Sequence, residues 1–261
     1  MLLAIDSGNT NVVFALYEGR EQRGKWRIST KPGRSADEYA VWLTQLMTLG
    51  GFGVSDVTSV VISNVVPTAQ RSLSHFCGRY FAQPPVSVEE CLTAYDFAIR
   101  IARPEQVGAD RIANAVAAHE AYEGGLVIID FGTATTLDLV DPDGAYSGGI
   151  IAPGIDVSME ALYQAAAKLP RISVEKPKDN TVVGYDTASA MHSGVFWGYI
   201  SMIEGLVRRV KEERGDSLTV IATGGLAPLF HQTSDVIHHV EPDLTLKGLV
   251  SLHEAYRRQQ T

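Results

Sequence analysis

The chain has 261 residues, 45% of them hydrophobic and 20% charged, with a formal net charge of −8. That length buries a substantial core as one large domain or two smaller ones, and the acidic balance disfavours a nucleic-acid binder, whose affinity comes from clustered Lys and Arg. Two cysteines, Cys77 and Cys91, without CxxC spacing exclude a disulfide framework and a cysteine-based zinc site and fit a reducing compartment. Asp6 falls where a signal peptide would need its apolar run, so the expectation is a soluble, cytoplasmic protein. The uncharged stretch Thr187 to Ile203 holds Ser189, His192, Ser193 and Ser201 and reads as a buried helix rather than a membrane span.

In chain order, Leu2 to Ile5 predict a strand, Asp6 to Thr10 a turn, and Asn11 to Tyr17 a second strand. Trp26 to Thr30 predict a third. Apolar spacing and a Ser35 cap with Glu38 three residues on predict a helix over Ser35 to Leu49. A strand over Val57 to Ser63 and a helix from Pro67 to Tyr80 follow. Residues 82–107, with Pro84, Pro85 and Pro104, read as irregular connection, and Ile112 to Tyr122 as an alanine-rich helix. Leu126 to Ile129, Thr135 to Val140 and Ala145 to Ile151 predict strands, the last two joined by the turn sequence Asp141-Pro142-Asp143-Gly144. A helix after Pro153, a long helix from Thr187 to Glu213, a strand over Leu218 to Ala222 and a helix from Leu244 to Arg258 complete the series.

The opening pattern returns halfway. Leu3-Ala4-Ile5-Asp6-x-Gly8-Asn9-Thr10 is echoed by Val127-Ile128-Ile129-Asp130-x-Gly132-Thr133-Ala134, each between two strands. The echo predicts an α/β protein of two duplicated halves, residues 1–120 and 121–261, with a central cleft. A phosphate chain needs converging N–H donors with little steric bulk, and a carboxylate for the accompanying metal. Asp6, Gly8, Asn9 and Thr10 offer this once, with Asp6 toward Mg²⁺; Asp130, Gly132 and Thr133 offer it again. One such copy alone reads as a simple strand-ending turn; the pair points to a nucleotide site. P-loop, dinucleotide, GxSxG and HExxH patterns are absent from the sequence. Gly108-Ala109-Asp110-Arg111 opens a helix, where free N–H groups favour anions. Alone it reads as a cap and a solvated charge; beside phosphate loops it reads as a general base and an anion clamp. Thr223-Gly224-Gly225 would let a base or ribose lie against bare backbone, though a glycine turn explains it nearly as well.

Together with Gly148-Gly149-x-Ile151-x-Pro153-Gly154 and Gly184-x-x-Thr187, these segments resemble, in order and spacing over residues 2 to about 256, the type III pantothenate kinases of the actin/hexokinase-like ATPase superfamily. The resemblance implies two actin-like, ribonuclease H-like halves with mixed sheets flanked by helices, and ATP-dependent phosphorylation of pantothenate to 4′-phosphopantothenate, the first step of coenzyme A synthesis. It implies that Asp6 through Val13 and Thr133 contact ATP phosphates and Mg²⁺, that Asp110 accepts the proton, and that Gly108 to Arg111 contact pantothenate. It further implies that Asp130 holds a monovalent cation, K⁺ or NH₄⁺, and that Thr187 reaches the partner's substrate site in a homodimer. One departure is Ile101, nine residues before Asp110, where many relatives carry Tyr. A sugar kinase or exopolyphosphatase of the same superfamily, or a non-enzymatic regulator on the same scaffold, are the competing readings; retention of Asp6, Asp110 and Asp130 weighs against the last.

Overall fold

The computed structural model describes residues 1–166, 169–215 and 217–260. Two units divide the chain: Met1–Ala121 together with the stretch from Asp243 on, and Tyr122–Pro242.

The first unit holds strands β1 (Leu2–Ser7), β2 (Asn11–Glu18), β3 (Glu21–Ser29), β4 (Ser59–Asn64) and β5 (Val86–Ser87) in the order β3-β2-β1-β4-β5. The β1–β2 and β2–β3 pairs are antiparallel and the β1–β4 and β4–β5 pairs parallel. Helices α1 (Ala36–Leu49) and α2 (Pro67–Tyr80) cover one face. Helix α1 starts where the sequence places it. Ser35 N donates to Glu38 Oε2 at 2.8 Å while Glu38 N donates to Ser35 Oγ at 3.2 Å, a reciprocal cap that satisfies two otherwise orphaned donors. Its buried stripe of Tyr39, Leu43 and Met47 packs on Leu3, Ile5, Phe14 and Leu16, each full burial stabilising by about 1.5–3 kcal/mol. Phe14 is the hub of that core, with ring centroids 5.7 to 6.1 Å from Trp42, Tyr39 and Phe76.

Helices α3 (Val88–Leu92), α4 (Ala109–Ala121) and α8 (Leu244–Gln259) complete this unit. Helix α8 packs along α4 and reaches β1 and β4. The two helices approach so closely that a Cβ at Gly248 would lie 1.9 Å from the Ala113 carbonyl oxygen. Thr245 Oγ1 donates to Asn114 Oδ1 at 2.8 Å, and Ser251 Oγ to Glu120 Oε2 at 2.7 Å.

The second unit repeats the first sheet strand for strand. Strands β6 (Leu126–Phe131), β7 (Ala134–Val140), β8 (Tyr146–Pro153), β9 (Thr219–Gly224) and β10 (His239–Val240) lie in the order β8-β7-β6-β9-β10. Strands β1 and β6 bury the same positions, as do β4 and β9. Even the register irregularity recurs, between Leu16 and Tyr17 on β2 and between Leu139 and Val140 on β7, each after the sixth residue of its strand. Helices α5 (Ile155–Ala165), α6 (Thr187–Arg214) and α7 (Ala227–His231) flank this sheet. Phe196, Tyr199, Ile200, Ile203, Val207 and Val210 of α6 form a helical stripe buried on Val127, Ile129 and Val220.

The duplicated α/β design stands, with several corrections of detail. The third strand is Glu21–Ser29 rather than Trp26 to Thr30, because a hairpin turn at Gly19, with φ of 59°, lets it pair along the whole of β2. Residues 82–107 are not wholly irregular: Ser87 and Glu90 form a second reciprocal cap that opens α3. Helix α4 starts at Ala109, so Asp110 and Arg111 lie within its first turn rather than before it. The division also differs. Helix α8 belongs with residues 1–121, whereas the sequence echo assigned it to 121–261.

Candidate active site

In the first unit the β1–β2 turn is held from two sides. Gly8 N donates to Asn11 O at 3.0 Å, and Thr30, just past β3, donates through Oγ1 to Gly8 O at 2.6 Å and through N to Thr10 O at 2.8 Å. Asn9 and Thr10 are exposed, and Asp6, Gly8, Asn11 and Val13 half-buried. Ser7 and Val12 have fully buried side chains. Val65 N donates to Ser7 O at 3.0 Å, which ties the chain after β4 to the end of β1. Gly108 stands against the same residue: a Cβ there would lie 3.6 Å from Val65 Cγ1. The Asp6 loop and the first turn of α4 therefore meet at the carboxyl ends of the parallel β1–β4 pair, the edge where open α/β sheets bind ligands. There Asp110 is half-buried and its Oδ1 accepts from Arg111 N at 2.8 Å. A carboxylate held to backbone in this way is fixed in direction.

The second unit builds a related edge. Asp130, next to last in β6, is half-buried, with Gly132 and Thr133 exposed beyond the strand. Gly132 N donates to Ala134 O and Gly154 N to Thr133 O, both at 3.1 Å. This turn is one residue shorter than the first, since β7 resumes at Ala134 where the Asp6 loop runs on to Asn11. Tyr199 backs it: its hydroxyl donates to Pro153 O at 2.8 Å and lies 2.5 Å from Thr135 Oγ1. Gly224 closes β9 with φ of 90°, where a Cβ would lie 2.5 Å from Phe131 O, so no other residue fits without strain. Gly225 next to it is exposed.

Thr187 stands apart. It is exposed at the start of α6, behind an Asp186 cap whose Oδ1 accepts from Ser189 N at 2.9 Å. It precedes Tyr199 by twelve residues, about 18 Å along the helix axis, so its own unit does not bring it to the Asp130 turn. Instead it lines an apolar groove of about 640 Å³ between α5 and α6, with Ile155, Met159, Leu162, Met191 and Val195.

Other chemistries find no support. Cys77 and Cys91 are buried, and burial pushes both thiols up to about 12, which makes them poor nucleophiles. Among the described residues no three or more His, Cys, Asp or Glu gather as metal ligands, and no helix is long and apolar enough to cross a membrane. Two buried hydroxyl residues pair in register with Asp6 and Asp130: Ser63, which belongs to no sequence motif, and Thr223, which the sequence marks only as the neighbour of Gly224. The signal was present in sequence, as each ends an apolar strand run.

Solved structures share this architecture across the full chain. One from Campylobacter jejuni, named for the Baf family of transcriptional activators, matches with a TM-score of 0.62 at 16% identity, covering 98% of this chain and 99% of that one. The ROK hexokinase of Thermus thermophilus matches at 0.52 and 12% identity, with 99% of each chain covered. The two five-stranded sheets thus have the duplicated α/β fold also seen in hexokinase-like sugar kinases. The family model for type III pantothenate kinase matches residues 2–209. Type III pantothenate kinases of Paramagnetospirillum magneticum and Caulobacter vibrioides are each 53% identical, over 261 and 259 residues, covering 100% and 99% of this chain and 98% and 97% of theirs. The chain belongs to the type III pantothenate kinase family.

Proposed function

We propose that this protein transfers the γ-phosphoryl group of ATP to the 4′ hydroxyl of pantothenate, the entry step of coenzyme A synthesis. Full-length identity of 53% to type III pantothenate kinases carries the reading. The meeting of the Asp6 loop with the first turn of α4 supports it geometrically.

In this reading Asp110 accepts the hydroxyl proton as the pantothenate oxygen bonds to phosphorus and the bond to the ADP oxygen breaks. Arg111, beside Gly108 and Ala109, pairs with the pantothenate carboxylate. Backbone donors of the loop from Ser7 through Val13, with Gly132 and Thr133, orient the phosphates, and the bare backbone of Gly224 and Gly225 accommodates adenosine. Catalysis is then mainly positioning and charge neutralisation.

The oxygen donors at both sheet edges fit hard cations: carboxylates of Asp6 and Asp130, turn carbonyls, and the hydroxyl of Ser63, which is buried without a hydrogen-bond partner in the protein. Asp6 would hold Mg²⁺ together with the nucleotide phosphates, as one carboxylate suffices when the substrate supplies the rest. Asp130 would hold the monovalent cation, K⁺ or NH₄⁺. These ions would supply neutralisation of the phosphate charge.

The groove at Thr187 supports a homodimer. Val182, Val183 and Tyr185, just before α6, are 66%, 67% and 93% exposed, and α5 exposes Val157 and Leu162 as well. Apolar surface of this extent on one unit suits burial against a second copy, with Thr187 delivered to the partner's substrate. In this reading the enzyme works in the cytoplasm. A coupled ADP-release assay with pantothenate, with and without K⁺, tests the reading; turnover independent of pantothenate would overturn it.

A further inference from the structure

The duplication carries a pair of hydroxyl residues whose equivalence appears only in the sheet register. In the parallel β1–β4 pair Asp6 stands in register with Ser63; in the parallel β6–β9 pair Asp130 stands in register with Thr223. Each hydroxyl residue is the fifth of six in its strand, as each aspartate is in its own. Register partners on neighbouring strands present their side chains to the same face, with backbones about 4.8 Å apart, so each hydroxyl flanks its carboxylate.

Packing alone does not account for these hydroxyls. Ser63 is 0% and Thr223 3% exposed, and both follow apolar runs, Val60-Val61-Ile62 and Val220-Ile221-Ala222. Ser63 Oγ has no hydrogen-bond partner in the protein, and a buried hydroxyl left unsatisfied costs free energy that alanine or valine at the same place would avoid. The residues that follow have diverged, Asn64 in one unit and the positive-φ Gly224 in the other. The carboxylate–hydroxyl pairing has not. We propose that Ser63 and Thr223 are cation-positioning residues: each hydroxyl is a further oxygen donor toward the cation that its neighbouring aspartate holds. The proposal rests on the reading that Asp6 serves the divalent ion and Asp130 the monovalent one.

Because the two pairs serve different ions, their loss has different signatures. The variants are Ser63→Ala and Thr223→Val, with Ser63→Thr and Thr223→Ser as conservative controls that keep the hydroxyl. Mn²⁺ binding is read by paramagnetic resonance with a non-hydrolysable ATP analogue. The monovalent site is read by the rise in unfolding temperature on titrating KCl, with choline chloride matching ionic strength. Ser63→Ala weakens Mn²⁺ binding about tenfold, the effect of one lost hydrogen-bonding contact, and leaves the K⁺ titration unchanged. Thr223→Val shifts the K⁺ titration by a similar factor and leaves Mn²⁺ binding unchanged. The hydroxyl-retaining variants stay near the parent in both. Equal losses in both titrations, or none in either, overturn the proposal. Asp6→Asn and Asp130→Asn run alongside separate the two layers. If they abolish their respective ion effects while Ser63→Ala and Thr223→Val do nothing, the pairing is wrong and the ion assignment stands. If they too do nothing, both fall.

Discussion

Gly248→Ala provides a sharp test of the packing that carries Asp110. Gly248 faces α4, and an added Cβ would sit 1.9 Å from the Ala113 carbonyl oxygen, with the Ala113 carbonyl carbon at 2.5 Å and its Cα at 2.9 Å. These are backbone atoms of a helix, so no side chain can swing aside. Restoring an ordinary 3.4 Å contact means parting α8 and α4 by about 1.5 Å along that vector. Overpacking of this kind costs about 1–3 kcal/mol, and the shift would also strain the Thr245–Asn114 and Ser251–Glu120 hydrogen bonds between the same helices. Alanine returns about 1 kcal/mol of helix propensity, which leaves a net loss of up to about 2 kcal/mol. The displacement has a second consequence. Ala113 is one turn from Asp110, and a misplacement of about 1 Å in a reacting group can cost on the order of a hundredfold in rate. Urea denaturation should show a lower midpoint at unchanged slope, and steady-state assay a fall in kcat larger than the change in KM. Parent-like stability together with parent-like kcat would refute the close contact and the coupling drawn from it.

Three other outcomes are expected. Asp110→Asn keeps the backbone acceptor toward Arg111 N but loses the base, so kcat falls about 10²–10⁴-fold while the unfolding temperature stays within a degree or so of the parent; retained turnover would remove Asp110 from the chemistry. His253, 6% exposed on α8, is pushed down to about 4, first by burial and then by Arg257. The unfolded chain binds a proton near pH 6.5 that the folded state refuses, so stability is intact above that pH and declines toward pH 4, by at most about 3 kcal/mol; His253→Gln should flatten the decline of the denaturation midpoint across this window. Met191→Asp puts a carboxylate into the apolar groove of α5 and α6, which should weaken self-association more than a hundredfold by sedimentation and depress pantothenate turnover with it; a fully active monomer would refute the role given to Thr187.

What was legible in sequence were features with strong local causes. The Asp6 and Asp130 turns stood out because glycine and aspartate at a strand end leave an unmistakable mark, and the Ser35 cap with Glu38 is as local as structure gets. Ser87 with Glu90 is the same device and was equally readable, but three nearby prolines drew attention to irregularity instead. The pairing of Ser63 with Asp6 and of Thr223 with Asp130 depends on parallel register between strands more than fifty residues apart, which no local pattern specifies. Asp110 was found by its motif, yet the packing of neighbouring Gly108 against Val65, which brings the first turn of α4 to the Asp6 loop, needed tertiary structure. The placement of α8 was not readable at all. Its apolar stripe would suit either unit, and what selects the first is a fit of backbone against backbone at Gly248 and Ala113.

That same helix gives the protein an order of assembly. The second unit is a single continuous stretch, Tyr122–Pro242, inserted into the first, so all of its strands and helices leave the ribosome together and can pair locally. The first unit cannot finish when its own strands have been made. The sheet face bearing Ala4 and Val61 stays without its α8 cover until translation has passed residue 243. During that interval β1 and β4 expose apolar surface, and a chain stopped anywhere in the second unit would carry it permanently. Expression of fragments ending near residue 121 should therefore give aggregates, whereas a separately supplied peptide spanning α8 should rescue their solubility.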